Sequence, residues 1–356
     1  MRKTMVKTML TVLMCFVLCG CFQSRSLGER AIVKAVYMNT LADGKIEAAL
    51  VVFTCEPNSD TASVTGKAKI YMAKGDTLEE ALYLAEQQQN KKVFYAQNEL
   101  LLLGPGATKN ISSYLSYFGQ EDVGRLNLSV YLTELEGDEF SKCDDIIENV
   151  IQEGERLTDR TLTQASPAKS IYESIPGEKG ESGWLPVLEF SPEEDYIGVK
   201  KAFLFKEDQC YEVWNATELQ VALMLDGKSQ RLSTQAQYDG QEISLKTGPL
   251  TMETQVLEKE DDLLLQLSIS GRLEHLSIDG KTVSINRSSQ ELIMANRWLV
   301  DTVSNIVSQT FYEKNDVFQW EWWLRLHDAK RIEAWKSQDQ MESHIQIQVI
   351  GNLSDS

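Results

Sequence analysis

The segment TLEEALYLA at residues 77–85 and the run VFYAQNELLLL at residues 93–103 decide the predicted fold class. Thr77 followed three residues later by Glu80 is a capping-box pattern, which marks the start of a helix. Small and leucine side chains then recur on one helical face, and the second run is dense in the residues of a buried strand. Glycine and proline at 104–106 end this run. A helix followed at once by a buried strand predicts an α+β protein.

Helices and strands also alternate before and after these two segments. Strands are predicted at 31–37, 46–54, 67–72 and 126–132, with helices at 110–118 and 143–157. In the second half, strands are predicted at 184–190, 197–205, 210–214, 242–246, 252–257, 263–269 and 344–350, with helices at 217–225, 290–312 and 320–335. The fold is therefore expected to contain mixed sheets with packed helices, in two to three small domains.

A stretch rich in proline and glycine divides the two halves. Residues 159–183 lack apolar runs and contain Pro167, Pro176 and three glycines, as domain linkers often do. We therefore predict an N-terminal domain at 21–160, a linker at 161–183 and a C-terminal domain at 184–350.

The N-terminus has the pattern of a bacterial lipoprotein signal peptide at residues 1–20. Basic residues precede a short apolar run that ends in Leu18-Cys19-Gly20-Cys21, which resembles a lipobox. The run is shorter than the roughly 20 residues that a membrane-spanning helix needs. Cys21 is therefore predicted to carry the lipid, including palmitate, that anchors the rest of the chain to the extracytoplasmic face of a membrane. A plain secretory signal is the alternative.

The charge balance limits the classes of partner. The 356-residue chain has a net charge of −18, and removal of Arg2, Lys3 and Lys7 with the signal leaves −21. Nucleic acid is not expected as a partner, because phosphate binding needs basic clusters. Cys55, Cys143 and Cys210 lie singly along the mature chain, so neither a zinc site nor a disulfide framework is predicted.

The sequence contains no recognisable catalytic motif. His275, His327 and His344 are not in a metal-binding spacing, and nucleophile-elbow and phosphate-loop motifs are absent. The abundant carboxylates fall mainly in polar loops. We therefore predict that the protein is not an enzyme and needs no metal or cofactor.

Tryptophans at 320, 322, 323 and 335 form the most informative cluster. On a helix, Trp320 and Trp323 are predicted to share a face, while Trp322 points elsewhere. One interpretation is an exposed aromatic platform for a partner or a sugar. The other is a helix packed between a sheet and the preceding long helix, with Trp322 as the exposed residue and possible partner contact.

Several stretches along the chain resemble the Ger(x)C family, the lipoprotein C subunits of spore nutrient germinant receptors. The lipobox cysteine is followed by a segment close to the family's start. The stretches that carry the resemblance are Arg25-x-Leu27-x-Glu29-Arg30-Ala31-Ile32-Val33, Val93–Leu100, Lys201–Lys206 with Glu218-Leu219, Asp316-Val317-Phe318, Trp335-Lys336 and Ile345–Val349.

This resemblance implies a lipid-anchored, non-catalytic subunit in the spore inner membrane of a sporulating Gram-positive bacterium. Such subunits act with multi-pass membrane subunits that sense nutrients and trigger germination. A solute-binding lipoprotein of a transporter is the alternative. That class usually has two parallel α/β lobes, whereas three successive strands without helices are predicted at 242–269.

Overall fold

The structure, a computed structural model, describes residues 30–55, 66–120, 128–143, 169–170, 182–191, 196–206, 209–227, 229–283, 289–311, 316–338 and 340–354. It confirms the predicted α+β class. The strands are β1 Arg30–Thr40, β2 Ile46–Cys55, β3 Gly66–Gly75, β4 Lys92–Phe94, β5 Leu100–Leu103, β6 Ser129–Leu132, β7 Lys169–Ser170, β8 Ser182–Ser191, β9 Tyr196–Lys206, β10 Gln209–Trp214, β11 Ser233–Tyr238, β12 Gln241–Lys259, β13 Asp262–Ile278, β14 Lys281–Thr282 and β15 Ile345–Ser354. The helices are α1 Leu78–Glu86, α2 Ile111–Phe118, α3 Gly137–Phe140, α4 Ala216–Leu225, α5 Gln290–Phe311, α6 Trp320–Ser337 and α7 Met341–His344.

The first sheet is mixed, with strand order β10-β9-β8-β6-β5-β1-β2-β3. Strands β1, β5, β6 and β8 are parallel neighbours, and antiparallel hairpins extend the sheet at both ends. All four leucines of β5 are buried, because this strand lies in the middle of a sheet with apolar cores on both faces.

Helix α1 forms as the sequence predicts. The Thr77 hydroxyl accepts a hydrogen bond from the Glu80 backbone N–H at 3.2 Å, which caps the first turn. The four residues of its predicted apolar face, Leu78, Ala81, Leu82 and Ala85, are all buried against the first sheet.

The prediction of a single strand at 93–103 is wrong, because this stretch forms two strands. β4 and β5 both pair with β1 in parallel, but a turn separates them. The Asn98 backbone N–H bonds the Tyr95 carbonyl at 2.8 Å, and the Asn98 side chain accepts from the Leu100 N–H at 3.4 Å. This buried asparagine replaces ladder hydrogen bonds with local ones.

Strands β8–β10 follow the predicted linker and extend the first sheet. The structure describes only residues 169–170 and 182–183 of the predicted 161–183 linker, so the domain boundaries stay a prediction. One face of β8–β10 contributes Leu185 and Phe205 to the core of the first sheet. Their other face contributes Trp184 and Trp214 to the core of the C-terminal half. These strands therefore connect the two cores.

The second sheet has the order β11-β12-β13-β14, and β15 pairs with β13 in parallel over residues 263–272. Helices α5 and α6 pack on one of its faces. The strands predicted at 242–246 and 252–257 are a single strand, β12. Gly248-Pro249 produces a bulge there instead of a break.

Two boundaries in the C-terminal half also differ from the prediction. His344, predicted as the start of the last strand, ends helix α7, and β15 begins at Ile345. Strand β11 was not predicted. The signal peptide and residues 144–157 of the predicted helix lie outside the described residues. Within the part of the chain that the structure covers, no helix has the length and apolar character needed to cross a membrane.

Candidate partner-binding surface

Helix α6 begins on a fixed support. The partly buried Asp316 carboxylate accepts hydrogen bonds from the Trp320 N–H at 2.8 Å and the Glu321 N–H at 2.7 Å. Desolvation raises the pKa of Asp316 to about 6, although these backbone bonds act to lower it. The carboxylate therefore satisfies two helix N–H groups that have no partner within α6.

An aromatic cluster holds the same end of α6 against the first sheet. The ring of Phe318 stacks on Trp214 with centroids 5.9 Å apart, and Trp184 lies 5.9 Å from Trp214. Trp320 contacts Phe318 at 5.7 Å. Trp320 is buried in this cluster, as the packed-helix interpretation predicts for the tryptophan-rich segment.

Charged side chains fix the rest of α6. Glu321 accepts hydrogen bonds from Lys336 Nζ and Arg325 Nε, each at 2.8 Å. Desolvation acts to raise the pKa of Glu321, but the bonds from Lys336 and Arg325 outweigh it and leave the pKa lowered. Asp328 interrupts the helix with φ −150° and accepts from the Arg331 N–H at 3.1 Å, so it caps the second half.

The first half of α6 presents three apolar side chains to solvent. Trp322 is 54% exposed, Trp323 43% and Leu326 62%. The two indole rings meet edge to face, with centroids 5.4 Å apart and planes at 81°. We call Trp322, Trp323 and Leu326 the α6 patch. The helix half that carries it is held at its start by the Asp316 hydrogen bonds and the Trp320 contacts and ends at Asp328.

The predicted exposure of Trp322 is confirmed, whereas the predicted placement of Trp323 is wrong. Trp320 and Trp323 do not share an environment, because the buried face of this half is formed by Trp320 and Leu324. Leu326 also lies on this exposed face, although it is not among the residues predicted from the sequence. Its position four residues after Trp322 was the available signal, since residues at this spacing are neighbours on a helix.

The three histidines take structural positions. The His344 ring stacks on Trp335 with centroids 4.9 Å apart, and its Nδ1 lies 2.9 Å from Asp262 Oδ1. His327 Nε2 lies 3.8 Å from Glu258 Oε1, an ion pair when the imidazole is protonated. His275 belongs to β13. Among the described residues, no group of three or more histidine, cysteine or acidic side chains is placed to hold a metal ion.

The predicted lipidation residue, Cys21, lies outside the described residues. Cys143 is buried, and its thiol donates to the Glu139 carbonyl at 3.3 Å. Cys210 is a free thiol on the edge strand β10. Of the two predicted functional residues, only Trp322 lies within the described residues.

Comparison with known proteins agrees with this fold. A crystal structure of the GerBC protein matches with a TM-score of 0.51 and 11% sequence identity, over 90% of this chain and 96% of that chain. This likeness establishes a shared fold. A family model described as the spore germination protein N-terminal domain matches residues 23–189. No curated protein is significantly similar in sequence.

The family match defines the class of residues 23–189, a spore germination protein N-terminal domain, and the likeness to GerBC shows that the chain has the same α+β fold. Residues 23–189 therefore match a spore germination family, in agreement with the resemblance to the Ger(x)C family seen in the sequence.

Proposed function

We propose that this protein is a lipid-anchored, non-catalytic subunit of a spore nutrient germinant receptor and acts with multi-pass membrane subunits. The observation that carries the proposal is the family match over residues 23–189, which begins close behind the lipobox cysteine. A soluble body directly after an anchoring cysteine is the arrangement of a subunit tethered at the spore inner membrane, on its extracytoplasmic face.

The anchor follows from Cys21. Acyl chains stabilise membrane binding by about 0.8 kcal/mol per buried CH₂, and two or more chains give durable attachment. The segment 22–29 then separates the lipid from β1, and eight residues reach about 30 Å at full extension. The folded body would thus be held near the bilayer, within reach of membrane subunits.

The α6 patch is the surface that we propose for the contact with those subunits. Tryptophan dominates binding energies at protein interfaces, especially when it is rigid before binding. Helix α6 has four basic and three acidic residues, in a chain whose net charge is −18. This helix can therefore approach a partner without the repulsion that the acidic remainder would cause.

A Cys21→Ala variant of the full chain tests the anchor. Without the thiol no diacylglycerol can attach, so the protein should leave the membrane fraction and the spores should lose their response to nutrients. The measurement is immunoblotting of carbonate-washed spore inner membranes, with Cys210→Ala as the control because Cys210 is the exposed thiol on β10. Retention of Cys21→Ala in the washed membranes would mean that the anchor lies elsewhere.

The transporter alternative makes a different prediction. A solute-binding lipoprotein should be stabilised by its ligand, because binding to the native state raises its unfolding temperature. A thermal-shift screen with amino acids and sugars should give no large shift if the protein is a receptor subunit that contacts other proteins. A large shift with one solute would favour the solute-binding function.

A further inference from the structure

Strand β15 is an edge strand without charged side chains. Its sequence, Ile-Gln-Ile-Gln-Val-Ile-Gly-Asn-Leu-Ser, pairs with β13 along one side over its whole length. Proteins usually protect such edges with lysine, proline or a covering element. The first sheet follows this rule, since its edge strand β3 carries Lys69 and Lys74. In a chain with 25% charged residues, an uncharged edge of ten residues needs an explanation.

The hydrogen bonds of Asn296 show which backbone groups face outward. Its side chain donates to the Leu353 carbonyl at 3.1 Å and accepts from the Leu353 N–H at 2.6 Å. These are the two bonds that a neighbouring strand would make. Because backbone groups alternate in direction along a strand, those of Ile347, Val349 and Gly351 point to the same open edge. Within the described chain, no hydrogen bond reaches these three residues from that side.

At each end of this unpaired stretch, the outward backbone groups already have hydrogen-bond partners. Asn296 occupies the backbone groups of Leu353, and the Ile345 N–H bonds the Met341 carbonyl at the end of α7. The three outward-facing residues between them are spaced symmetrically about Val349. An antiparallel strand centred there could use all of their backbone groups and none that is already occupied.

A second copy of β15 meets these requirements. With Val349 opposite Val349 of the second copy, Ile347 faces Gly351, and about six backbone hydrogen bonds form. A Cβ on Gly351 would lie 2.9 Å from Val300 of α5, so the glycine lets this helix pack closely on the inner face of β15. On the solvent face, Gln348 lies opposite Ile350. No pair in this register brings like charges together.

We infer that β15 is a self-association surface, through which two copies of this chain join their second sheets by antiparallel β15–β15 pairing. The contact is isologous, with a two-fold axis at Val349. The absence of charge along this edge is what allows two mature chains, each with a net charge of −21, to approach there. This goes beyond the proposed function, because it requires two copies in one assembly.

Disulfide trapping in the native membrane tests this register. Two differently tagged full-length copies are co-expressed, one with Gln348→Cys and the other with Ile350→Cys. These residues form a non-hydrogen-bonded pair about 4.5 Å apart between Cα atoms, which a disulfide can bridge. The control is Gln346→Cys in both copies, since these cysteines would lie about 20 Å apart. Mild oxidation should give about tenfold more disulfide-linked dimer for the Gln348–Ile350 pair than for the control.

A proline at Val349, in the middle of the edge strand, distinguishes loss of strand pairing from loss of folding. Val349→Pro removes an outward N–H that the monomer does not use, so the chain should fold like Val349→Ala but lose the cross-link. Unfolding temperature and near-UV circular dichroism compare the two variants. A cross-link that survives Val349→Pro in a folded chain would overturn the inference. So would equal cross-linking in the Gln346 control, or capture of another protein in place of the second copy.

Discussion

At the scale of single residues, the carboxyl group of Asp316 at the start of α6 makes the stability of the protein depend on pH. Its pKa is raised to about 6 in the folded protein, chiefly by desolvation, from a usual value near 3.8. The native state therefore holds this proton more tightly than the unfolded state. Its contribution to stability is present at acidic pH and is lost as the pH rises from about 4 through 6.

We predict that Asp316→Asn removes this pH dependence. The free energy of unfolding of the unmodified protein, minus that of the variant, should fall by about 2 kcal/mol between pH 4 and pH 6.5. Urea unfolding across this range measures the difference, and the other titrating groups cancel in the subtraction. A difference that does not vary with pH would show that the Asp316 carboxylate has an ordinary pKa.

The tryptophans show what the sequence could predict for single residues. Trp322 was predicted to be exposed from helical spacing alone, and it is. Trp323 was assigned to the face of Trp320 because it lies three residues away. The aromatic cluster of Trp184, Trp214 and Phe318 holds Trp320 and leaves Trp323 in solvent. Contacts with distant segments decided this outcome, and local spacing carries no information about them.

At the scale of elements, the turn after β5 depends on a close backbone approach. A Cβ on Gly106 would lie 1.9 Å from the Thr40 carbonyl oxygen at the end of β1. The Gly106 N–H also bonds the Asn39 side chain at 2.8 Å. The glycine therefore lets the end of β5 pack against the end of its parallel neighbour.

Gly106→Ala should lower the free energy of unfolding by about 2 kcal/mol or more, because backbone atoms must shift to admit the methyl group. Gly248→Ala is the matched control. Its nearest neighbour is the flexible Glu274 side chain at 3.3 Å, so it should change stability much less. Chemical denaturation of both variants measures the effect, and equal losses would contradict the packing described here.

Elements with strong local signals were predicted well, whereas interruptions inside strands were not. The capping pattern at Thr77 and the apolar face of α1 located that helix correctly. The turn at Asn98 is not apparent in the sequence because strand-forming residues surround it. The strands predicted at 242–246 and 252–257 are one strand that continues through a bulge at Gly248-Pro249. Local sequence indicates propensity, but pairing with β1 and β13 decides where a strand ends.

At the scale of the whole molecule, the partners of each strand could not be predicted from the sequence. Strands β8–β10 pair into the first sheet and pack on both cores. The parallel pairing of β15 with β13 likewise joins residues about 80 positions apart, as the partners Leu263 and Ile345 show. Neither pairing leaves a local pattern.

The resemblance to a family could be recognised from the sequence because the matching stretches are distributed along the chain. The lipobox, the order of the elements and short matching stretches indicate a resemblance to the Ger(x)C family, and the match of residues 23–189 to the spore germination protein N-terminal domain agrees with it. Of the surface proposed for partner binding, the sequence predicts only Trp322. Its full extent, with Trp323 and Leu326, depends on how α6 is held.

A pull-down of the tagged full chain tests most directly whether the protein is a receptor subunit. The chain is recovered from detergent-solubilised inner membranes of dormant spores and, for comparison, from membranes of growing cells. The proposed function predicts that the protein is present only in spores and recovers multi-pass membrane proteins. Trp322→Ala should recover at least about tenfold less of them. Ile293→Ala, at an equally exposed apolar residue on α5, should recover as much as the unmodified chain. Recovery of transporter components from growing cells would contradict the receptor assignment.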